Sequence, residues 1–514
     1  MNNERLPRPT KIDADMWVDE AIWGHRLYDE QTPWLCFMEF LNVLQSEFEE
    51  GRAFSETEPN KLAYSPKSRL YLRNILFNNP QLTLISSKYR YDDKEAWLQW
   101  YEVMGKGQAG IINADFNYLE GRFANFVDFA SVVQFLRETT IEGENNKRWS
   151  SQFIFPYGPD CLYEDLKVKD NGFTNDRRFF GRTGELLYLM LTRSGKGSQI
   201  ISSLQKSVLN PLNKFNRLVA ALEPKDALSS SPIRTGVYLP YQKLNDYKLL
   251  ADDWLRLLKS NIPNYDVIPH LVNMTGLHLL MYSLNRAKFI LGDTNKLTFI
   301  LEIVSPKKTI IRDLSSGSFI EHNNMSRRAV EAYIRQVVNT EAWKQVTDIH
   351  EAIALLQHEY AWPRDNKESE AESANSPDDL INKFVNAAMN RHKQHVDKFH
   401  GVWGKEIGLS SRRGARRLRY APQDMLLKSL VLCVVPERME FQDFLDKLYE
   451  KYGFIIGDKQ ALELTEAGRA DLEAFSDNAR RLEQRLASMG LLRRLSDACA
   501  YVENPFGIQE ETLS

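Results

Sequence analysis

The sequence has few cysteines, and no two of them are closely spaced. The four are Cys36, Cys161, Cys433 and Cys499, and none belongs to a C-x-x-C pair. A structural zinc site is usually built from such ligand pairs, so the sequence predicts no metal site and no cofactor. Cysteine usage of this kind is typical of the reducing cytosol.

Long apolar runs are also missing. The longest, 186–191 and 430–435, are far shorter than the roughly 20 residues that cross a bilayer. The first residues carry no apolar stretch like that of a signal peptide. We therefore expect a cytoplasmic protein that makes no membrane contact.

An excess of charge is lacking as well, since 66 Lys and Arg face 69 Asp and Glu, a net charge of −3. Such a chain is not attracted to nucleic acid by its net charge, so DNA binding would need a local basic patch.

The 514 residues include 43% hydrophobic side chains. At roughly 100–200 residues per domain, a globular chain of this length has more than one domain.

Apolar spacing predicts a mainly α protein with small β elements, an α+β fold. Residues 1–195 form an aromatic-rich, mainly helical region, and residues 196–363 a helical region with a small β-meander at 288–312. Residues 364–377 have no large apolar side chain and are expected to form a linker. Residues 378–508 then form a C-terminal domain.

The C-terminal domain has the pattern of a winged helix. Apolar residues at helical spacing mark helices near 425–434, 441–452 and 475–489, and Gly453 and Gly490 follow two of them. Two short strands at 491–497 and 498–502 close the domain. Three helices and a terminal hairpin are typical of this variant of the helix-turn-helix, although another small helical domain is the alternative.

Arginines are concentrated just ahead of these helices. Residues 391–420 contain nine Lys or Arg and two acids, and the densest part comprises Arg412, Arg413, Arg416, Arg417 and Arg419. Guanidinium groups bind phosphate oxygens in pairs, which makes these five arginines candidates for nucleic-acid binding. The alternative is a solvated loop, or one that pairs with acidic residues elsewhere in the protein.

A second candidate site has the residue types of a restriction-type nuclease. Such enzymes hold a metal with an Asp and a Glu-x-Lys on adjacent strands. Asp293 and Glu302 have the expected order in the meander, but Val304 stands where the lysine belongs, and Lys307 lies further along. The set is incomplete, and a turn aspartate with a structural glutamate is the simpler interpretation.

Three histidines, His392, His395 and His400, lie in the same basic stretch. No cysteine or carboxylate pair completes a metal site there, and nearby lysines would repel a cation. We expect a solvated basic helix face and no metal.

Two stretches, 22–34 (IWGHRLYDEQTPW) and 491–506, which ends in YVENPF, resemble accessory proteins of bacterial anti-phage operons of the methylation-associated, restriction-like type. The resemblance implies a partner in a complex with other defence subunits, and it supplies no catalytic residues.

Three hypotheses follow from these patterns. The first is a non-catalytic subunit of an anti-phage defence complex that binds DNA, partner subunits or both. The alternatives are a divergent metal-dependent nuclease using Asp293, Glu302 and Lys307, and a scaffold that binds only protein. No complete catalytic set is present in the sequence, so the balance is against an enzyme.

Overall fold

The structure is a computed structural model that describes the chain in separate stretches. The described residues are 6, 17–24, 31–55, 62–105, 111, 113–138, 157–164, 166–169, 172–175, 181–224, 233–235, 238–304, 310–363, 371, 373–413, 416–468, 470–496 and 499–507.

Helices account for most of the described residues, which confirms a mainly α fold with small β elements. Where a polar side chain caps a helix, its start is sharp: the Ser376 hydroxyl accepts a hydrogen bond from the amide of Asp379. The helices are α1 Trp17–Trp23, α2 Pro33–Glu49, α3 Leu70–Phe77, α4 Leu82–Lys88, α5 Asp93–Gly105, α6 Phe126–Glu138, α7 Arg182–Thr192, α8 Gly197–Leu204, α9 Lys214–Ala220, α10 Asn245–Lys259, α11 Val267–Ile290, α12 Ile310–Arg335, α13 Glu341–Lys344, α14 Ile349–Tyr360, α15 Pro377–His395, α16 Phe399–Glu406, α17 Asp424–Val434, α18 Phe441–Tyr452, α19 Leu462–Glu466 and α20 Leu472–Ser488.

The strands are short and form small sheets. They are β1 Ala63–Tyr64, β2 Leu166–Lys169, β3 Gly172–Asn175, β4 Arg234–Thr235, β5 Phe299–Ile300, β6 Ser410–Ser411, β7 Arg419–Tyr420, β8 Arg438–Glu440, β9 Phe454–Ile455, β10 Leu492–Ser496 and β11 Cys499–Glu503. Antiparallel pairs join β1 to β4, β2 to β3 and β6 to β7, and β5 pairs with β9 in parallel. The three-stranded antiparallel sheet has the order β10–β11–β8.

The chain divides by proximity into two compact units. The large unit comprises Met1–Pro33, Arg193–Lys196 and Val237–Ser514, and the small unit comprises Trp34–Thr192 and Gly197–Gly236. The division expected from the sequence, at 195, 363 and 377, stays a prediction about how the chain folds. Most of the expected linker lies outside the described residues.

Aromatic side chains form much of the core of the small unit. Trp97 and Trp100 of α5 and Phe126 and Phe129 of α6 are buried against one another. The ring of Trp100 lies 4.9 Å from that of Phe129, and the ring of Trp97 lies 5.0 Å from that of Phe126, both edge-to-face. Such pairs add to the free energy gained by burying apolar surface.

Helix α11 forms the centre of the large unit. It is buried around almost its whole circumference, and α10, α12, α16 and α17 pack against it. Because few of its positions face water, its sequence shows little of the polar face of an ordinary surface helix.

The expected β-meander at 288–312 is wrong. Its first strand is the end of α11, and its third overlaps the start of α12 at Ile310. Only β5 forms in between, and it pairs with β9 rather than with a neighbour in sequence. Next to β5, the amide of Glu302 donates to the carbonyl of Tyr420 at 2.9 Å. Distant segments thus take the backbone hydrogen bonds that a local hairpin would use.

From residue 424 onward the order of elements is helix, strand, helix, helix, hairpin, with short β9 and α19 between the second and third long helices. Helix α18 ends at Gly453, where φ is 72°. A Cβ at Gly453 would lie 2.0 Å from the carbonyl oxygen of Leu297, so glycine is required by both conformation and space. These helices and the closing hairpin match the sequence prediction, whereas the winged-helix assignment itself stays a prediction.

Candidate nucleic-acid interface

The arginines ahead of the C-terminal helices lie in the loop of the hairpin formed by β6 and β7. Ser411 pairs with Arg419 and Ser410 with Tyr420 across this hairpin. Arg412, Arg413, Arg416 and Arg417 lie between the strands, and we term these four residues the arginine tip. The pairing of β6 with β7 therefore sets where the tip leaves the body of the protein.

Tyr420 anchors the base of this hairpin in the core. Its hydroxyl oxygen lies 2.7 Å from Nδ1 of His322 and 2.7 Å from Nε2 of His400. Burial lowers the pKa of His322 to about 3 and the pKa of His400 to about 4. Both rings are therefore neutral at pH 7, when each can either donate to or accept from the hydroxyl.

Arg419 does not belong to the exposed surface, and its predicted role in nucleic-acid binding is wrong. Its side chain is fully buried, and Nε donates to the carboxylate of Glu302. Its Nη2 donates to the carbonyl of Arg413 at 2.7 Å, and Nη1 to that of Ser411 at 3.3 Å. A buried guanidinium needs a counter-charge and hydrogen-bond acceptors. Here the two carbonyl contacts of Arg419 also join the two sides of the hairpin.

The arginine tip, by contrast, is exposed. All four side chains are open to solvent, and among the described residues none of them makes an ion pair with a carboxylate. The hydroxyl of Ser411 accepts a hydrogen bond from the amide of Arg413 at 3.0 Å and shapes the turn. Four guanidinium groups without a counter-charge in the described part of the chain thus occupy one short loop, an arrangement that attracts polyanions.

A shared segment of chain, residues 301–303, links helix α20 to the hairpin. The buried side chain of Asn478 on α20 accepts from the amide of Ile303 at 2.8 Å and donates to the carbonyl of Leu301 at 2.9 Å. Between these two residues, Glu302 holds Arg419 at the base of the tip. One extended segment therefore connects the arginine tip to the last long helix.

The cations of α20 and β10 are less available than those of the tip. Arg480 lies 3.2 Å from Asp477, and Arg485 lies 2.7 Å from Asp424. Arg494 on β10 lies 3.5 Å from Glu483. Because these ion pairs are largely exposed, they hold the side chains only weakly.

Of the three residues of the nuclease alternative, the two that the structure describes, Glu302 and Asp293, are paired with cationic side chains. Glu302 is fully buried, with one carboxylate oxygen bound by Arg312 at 2.9 Å and the other by Arg419. Asp293 lies in the turn after α11 and pairs with Lys288. Lys307 lies outside the described residues. Since both oxygens of Glu302 are used by arginines, the carboxylate has a structural role.

The histidines of the basic stretch are not on a solvated face, so that prediction is wrong for two of them. His392 is buried, with Nδ1 3.0 Å from Asp19 and Nε2 3.0 Å from Ser326, and His400 contacts Tyr420. The side chain of His395 lies outside the described residues. No group of three or more potential metal ligands occurs in the described part of the chain.

No sequence pattern predicts the buried polar network around Asp253. This carboxylate receives hydrogen bonds from His278 at 2.6 Å, from Tyr452 at 2.9 Å and from Lys451. Burial alone would raise the pKa of Asp253, but the hydrogen bonds and charges of His278 and Lys451 outweigh it and lower the pKa. Its members come from three helices far apart in sequence, so no local motif marks them.

None of the described helices is both long and apolar enough to cross a membrane. Comparison with curated proteins gives no match, and comparison with solved structures gives none either.

One family model does match, over less than a third of the chain. The matched residues contain the arginine tip and the elements from α15 to β11. They also contain most of the second stretch that carried the sequence resemblance, whereas the first stretch lies outside them. Residues 373–503 match the family described as methylation-associated defense system protein MAD7, which confirms the resemblance to proteins of such systems.

Proposed function

We propose that this protein is a non-catalytic, DNA-binding subunit of a methylation-associated defence complex. The observation that carries the proposal is the arginine tip, four exposed arginines without an ion pair among the described residues. Phosphate neutralisation by such residues is the main source of affinity for a nucleic-acid backbone. The family match at 373–503 supports the defence context and includes this loop.

We further assign the elements after residue 424 to a winged helix. The helices α17, α18 and α20 precede the hairpin β10–β11, and β8, between the first two helices, pairs with β11. In a helix-turn-helix variant of this kind the third helix, here α20, enters the major groove, and the hairpin contacts the backbone beside it. Arg493 and Arg494 are exposed on β10, where they would serve that contact.

Shared packing supports a single binding face. Asn478 fixes α20 to the segment at 301–303, and Glu302 in that segment holds the base of the arginine tip. Because this segment links α20 to the base of the tip, we propose that a duplex bound on α20 also contacts the tip. In this arrangement the tip contributes affinity, and α20 contributes any sequence preference.

Fluorescence-anisotropy titration of a labelled DNA duplex tests the proposal. Replacing Arg412, Arg413, Arg416 and Arg417 together by alanine should weaken binding by at least about tenfold, because four phosphate contacts are lost. The matched control replaces four exposed cations of the small unit, which removes the same total charge: Arg90, Lys94, Lys206 and Lys214. The control should bind as the wild type does. Equal affinity of wild type and tip variant would remove DNA binding from the proposal.

A scaffold that binds only protein is the second candidate. It is favoured by the ion pairs of Arg480 with Asp477 and of Arg485 with Asp424, which leave α20 close to neutral. Co-purification with the other defence subunits separates the two candidates. A stable complex without affinity for DNA would favour the scaffold, and loss of that complex in the tip variant would identify the tip as a protein contact.

A further inference from the structure

One arginine of the large unit is buried without the partners that such a group needs. Arg286 lies near the end of α11 and is 3% exposed. Its Nε and Nη2 are buried and make no hydrogen bond, and no carboxylate of the described residues lies within 4.0 Å. A buried, uncompensated guanidinium costs several kcal/mol, so a missing anionic partner is the simplest explanation.

The two unpaired nitrogen atoms of Arg286 indicate the shape of the missing anion. Nε and Nη2 form one edge of the guanidinium, and two parallel N–H groups on this edge match two oxygens of one carboxylate or phosphate. Tyr241 and Phe289 flank the group, with ring centroids 3.8 Å and 4.5 Å from its Cζ atom. Phe289 is itself 54% exposed, so the guanidinium lies close to the surface.

A second arginine lies next to this position. Nη1 of Arg193 donates to the carbonyl of Tyr241 at 2.7 Å and to that of Leu239 at 2.7 Å. The ring of Tyr241 covers Arg286 while its backbone binds Arg193, so two guanidinium groups meet at one tyrosine. Their combined positive charge favours an anion there.

One acidic residue of the neighbouring helix α10 is already engaged elsewhere. Asp246 on α10 accepts a hydrogen bond from the side chain of Asn285 at 2.7 Å and makes no ion pair with Arg286. Asp246 therefore does not occupy the paired N–H groups of Arg286, and they stay available to an anionic ligand.

We propose that Arg286 is the centre of an oxyanion-binding site, flanked by Tyr241 and Phe289, for the phosphate or carboxylate group of a small ligand. The site uses Arg286 and Phe289 of α11 and Tyr241 from the segment before α10. It is independent of the arginine tip, and a failure of DNA binding would leave it untouched.

Thermal unfolding with added anions tests this site. The full-length protein is titrated with inorganic phosphate, adenosine monophosphate or succinate, each against sodium chloride at equal ionic strength. At least one of the three should raise the melting temperature in a saturable way, because a ligand that binds only the folded state stabilises it. Which one does so identifies the source of the oxyanion.

Substitutions assign the effect to Arg286. In Arg286→Met the response should vanish, and the anion-free protein should melt no lower than wild type because an uncompensated buried charge is removed. Arg286→Lys keeps the charge but loses the paired edge, and its dissociation constant should rise by about tenfold. Two controls, Arg328→Met at an exposed position of α12 and the fourfold alanine variant of the arginine tip, should respond as wild type does.

Three results would overturn the proposal. The first is the absence of any anion-specific rise in wild type, and the second is an equal rise in wild type and Arg286→Met. The third is a lower melting temperature of anion-free Arg286→Met, since Arg286 would then already have a partner in solution.

Discussion

Glu302 binds Arg419 at the base of the hairpin formed by β6 and β7. It is fully buried, and Arg312 and Arg419 bind its two oxygens. We predict that Glu302→Gln lowers the free energy of unfolding by about 3–5 kcal/mol, because two arginines with little or no exposure lose their counter-charge. Urea denaturation monitored by circular dichroism gives this value.

An exposed pair provides the control for that measurement. Glu341 lies 2.7 Å from Lys344 and is 82% exposed. Exposed ion pairs contribute little, so Glu341→Gln should change the free energy of unfolding by less than about 1 kcal/mol. If Glu302→Gln cost no more than this control, the buried ion pair would not hold the base of the hairpin as described.

Three buried histidines make the stability of the large unit depend on pH. Burial lowers the pKa of His270 and of His400 to about 4, and that of His322 to about 3. Their stabilising contribution is complete above the unfolded-state pKa of about 6.5, and it is lost as pH falls below that value because only the unfolded chain gains protons. Each histidine should lower the free energy of unfolding by about 1.4 kcal/mol for every pH unit by which pH falls between 6.5 and about 4.

Glu223 of the small unit acts in the opposite direction. Burial raises its pKa to about 7, so its contribution to stability grows as pH falls from 7 to about 4.5. Comparing His322→Gln with wild type by urea denaturation between pH 7.5 and 5 isolates one histidine from this effect. The variant should show the weaker pH dependence, whereas replacing the exposed His358 should change nothing. Parallel pH curves for His322→Gln and wild type would disprove this assignment.

At the scale of the elements, the C-terminus of α18 requires a glycine at position 453. Gly453 has φ of 72°, and an added Cβ would lie 2.0 Å from a backbone oxygen, whereas Gly468 has φ of 67° with nothing within 4 Å of an added Cβ. Gly453→Ala should therefore lower the free energy of unfolding by more than Gly468→Ala, which carries only the conformational cost of about 1 kcal/mol. Thermal or urea unfolding of the two variants measures the difference. Equal losses would show that the backbone near Leu297 moves aside.

Elements with a strong short-range signal were predictable from the sequence. Helix α18 has apolar residues at helical spacing followed by glycine, and β10 and β11 follow α20 directly. The strand pairing at 299–300 was not predictable, because its partner, 454–455, lies about 150 residues further along the chain. Apolar residues at 288–291 suggested a strand because α11, buried all round, has no clear polar face in its sequence.

The same limit applies to the candidate interface. The density of arginines was visible in the sequence, and Arg412, Arg413, Arg416 and Arg417 are indeed exposed. That Arg419 turns inward depends on Glu302, which is supplied by a distant segment. The free edge of Arg286 likewise follows from tertiary packing and has no local motif.

At the scale of the whole molecule, residues on both sides of the expected linker pack together. Trp362 stacks on Phe384 of α15 with ring centroids 4.5 Å apart, and α14 and α12 contact α15. The composition of 364–377 predicts early cleavage there by a glutamate-specific protease. The two fragments should then elute together in native size-exclusion chromatography because the packing persists. Separate elution would show that the C-terminal part is an independent domain.

DNA affinity that depends on the arginine tip is the central proposal for the molecule, and its salt dependence tests it most directly. The logarithm of the association constant for a DNA duplex is measured against the logarithm of salt concentration for wild type and for the fourfold alanine variant of the tip. Each lost phosphate contact should flatten the slope by about 0.9, so the variant should be flatter by up to about 3.6. Identical slopes, or no measurable binding by wild type at low salt, would contradict a role of the arginine tip in DNA binding.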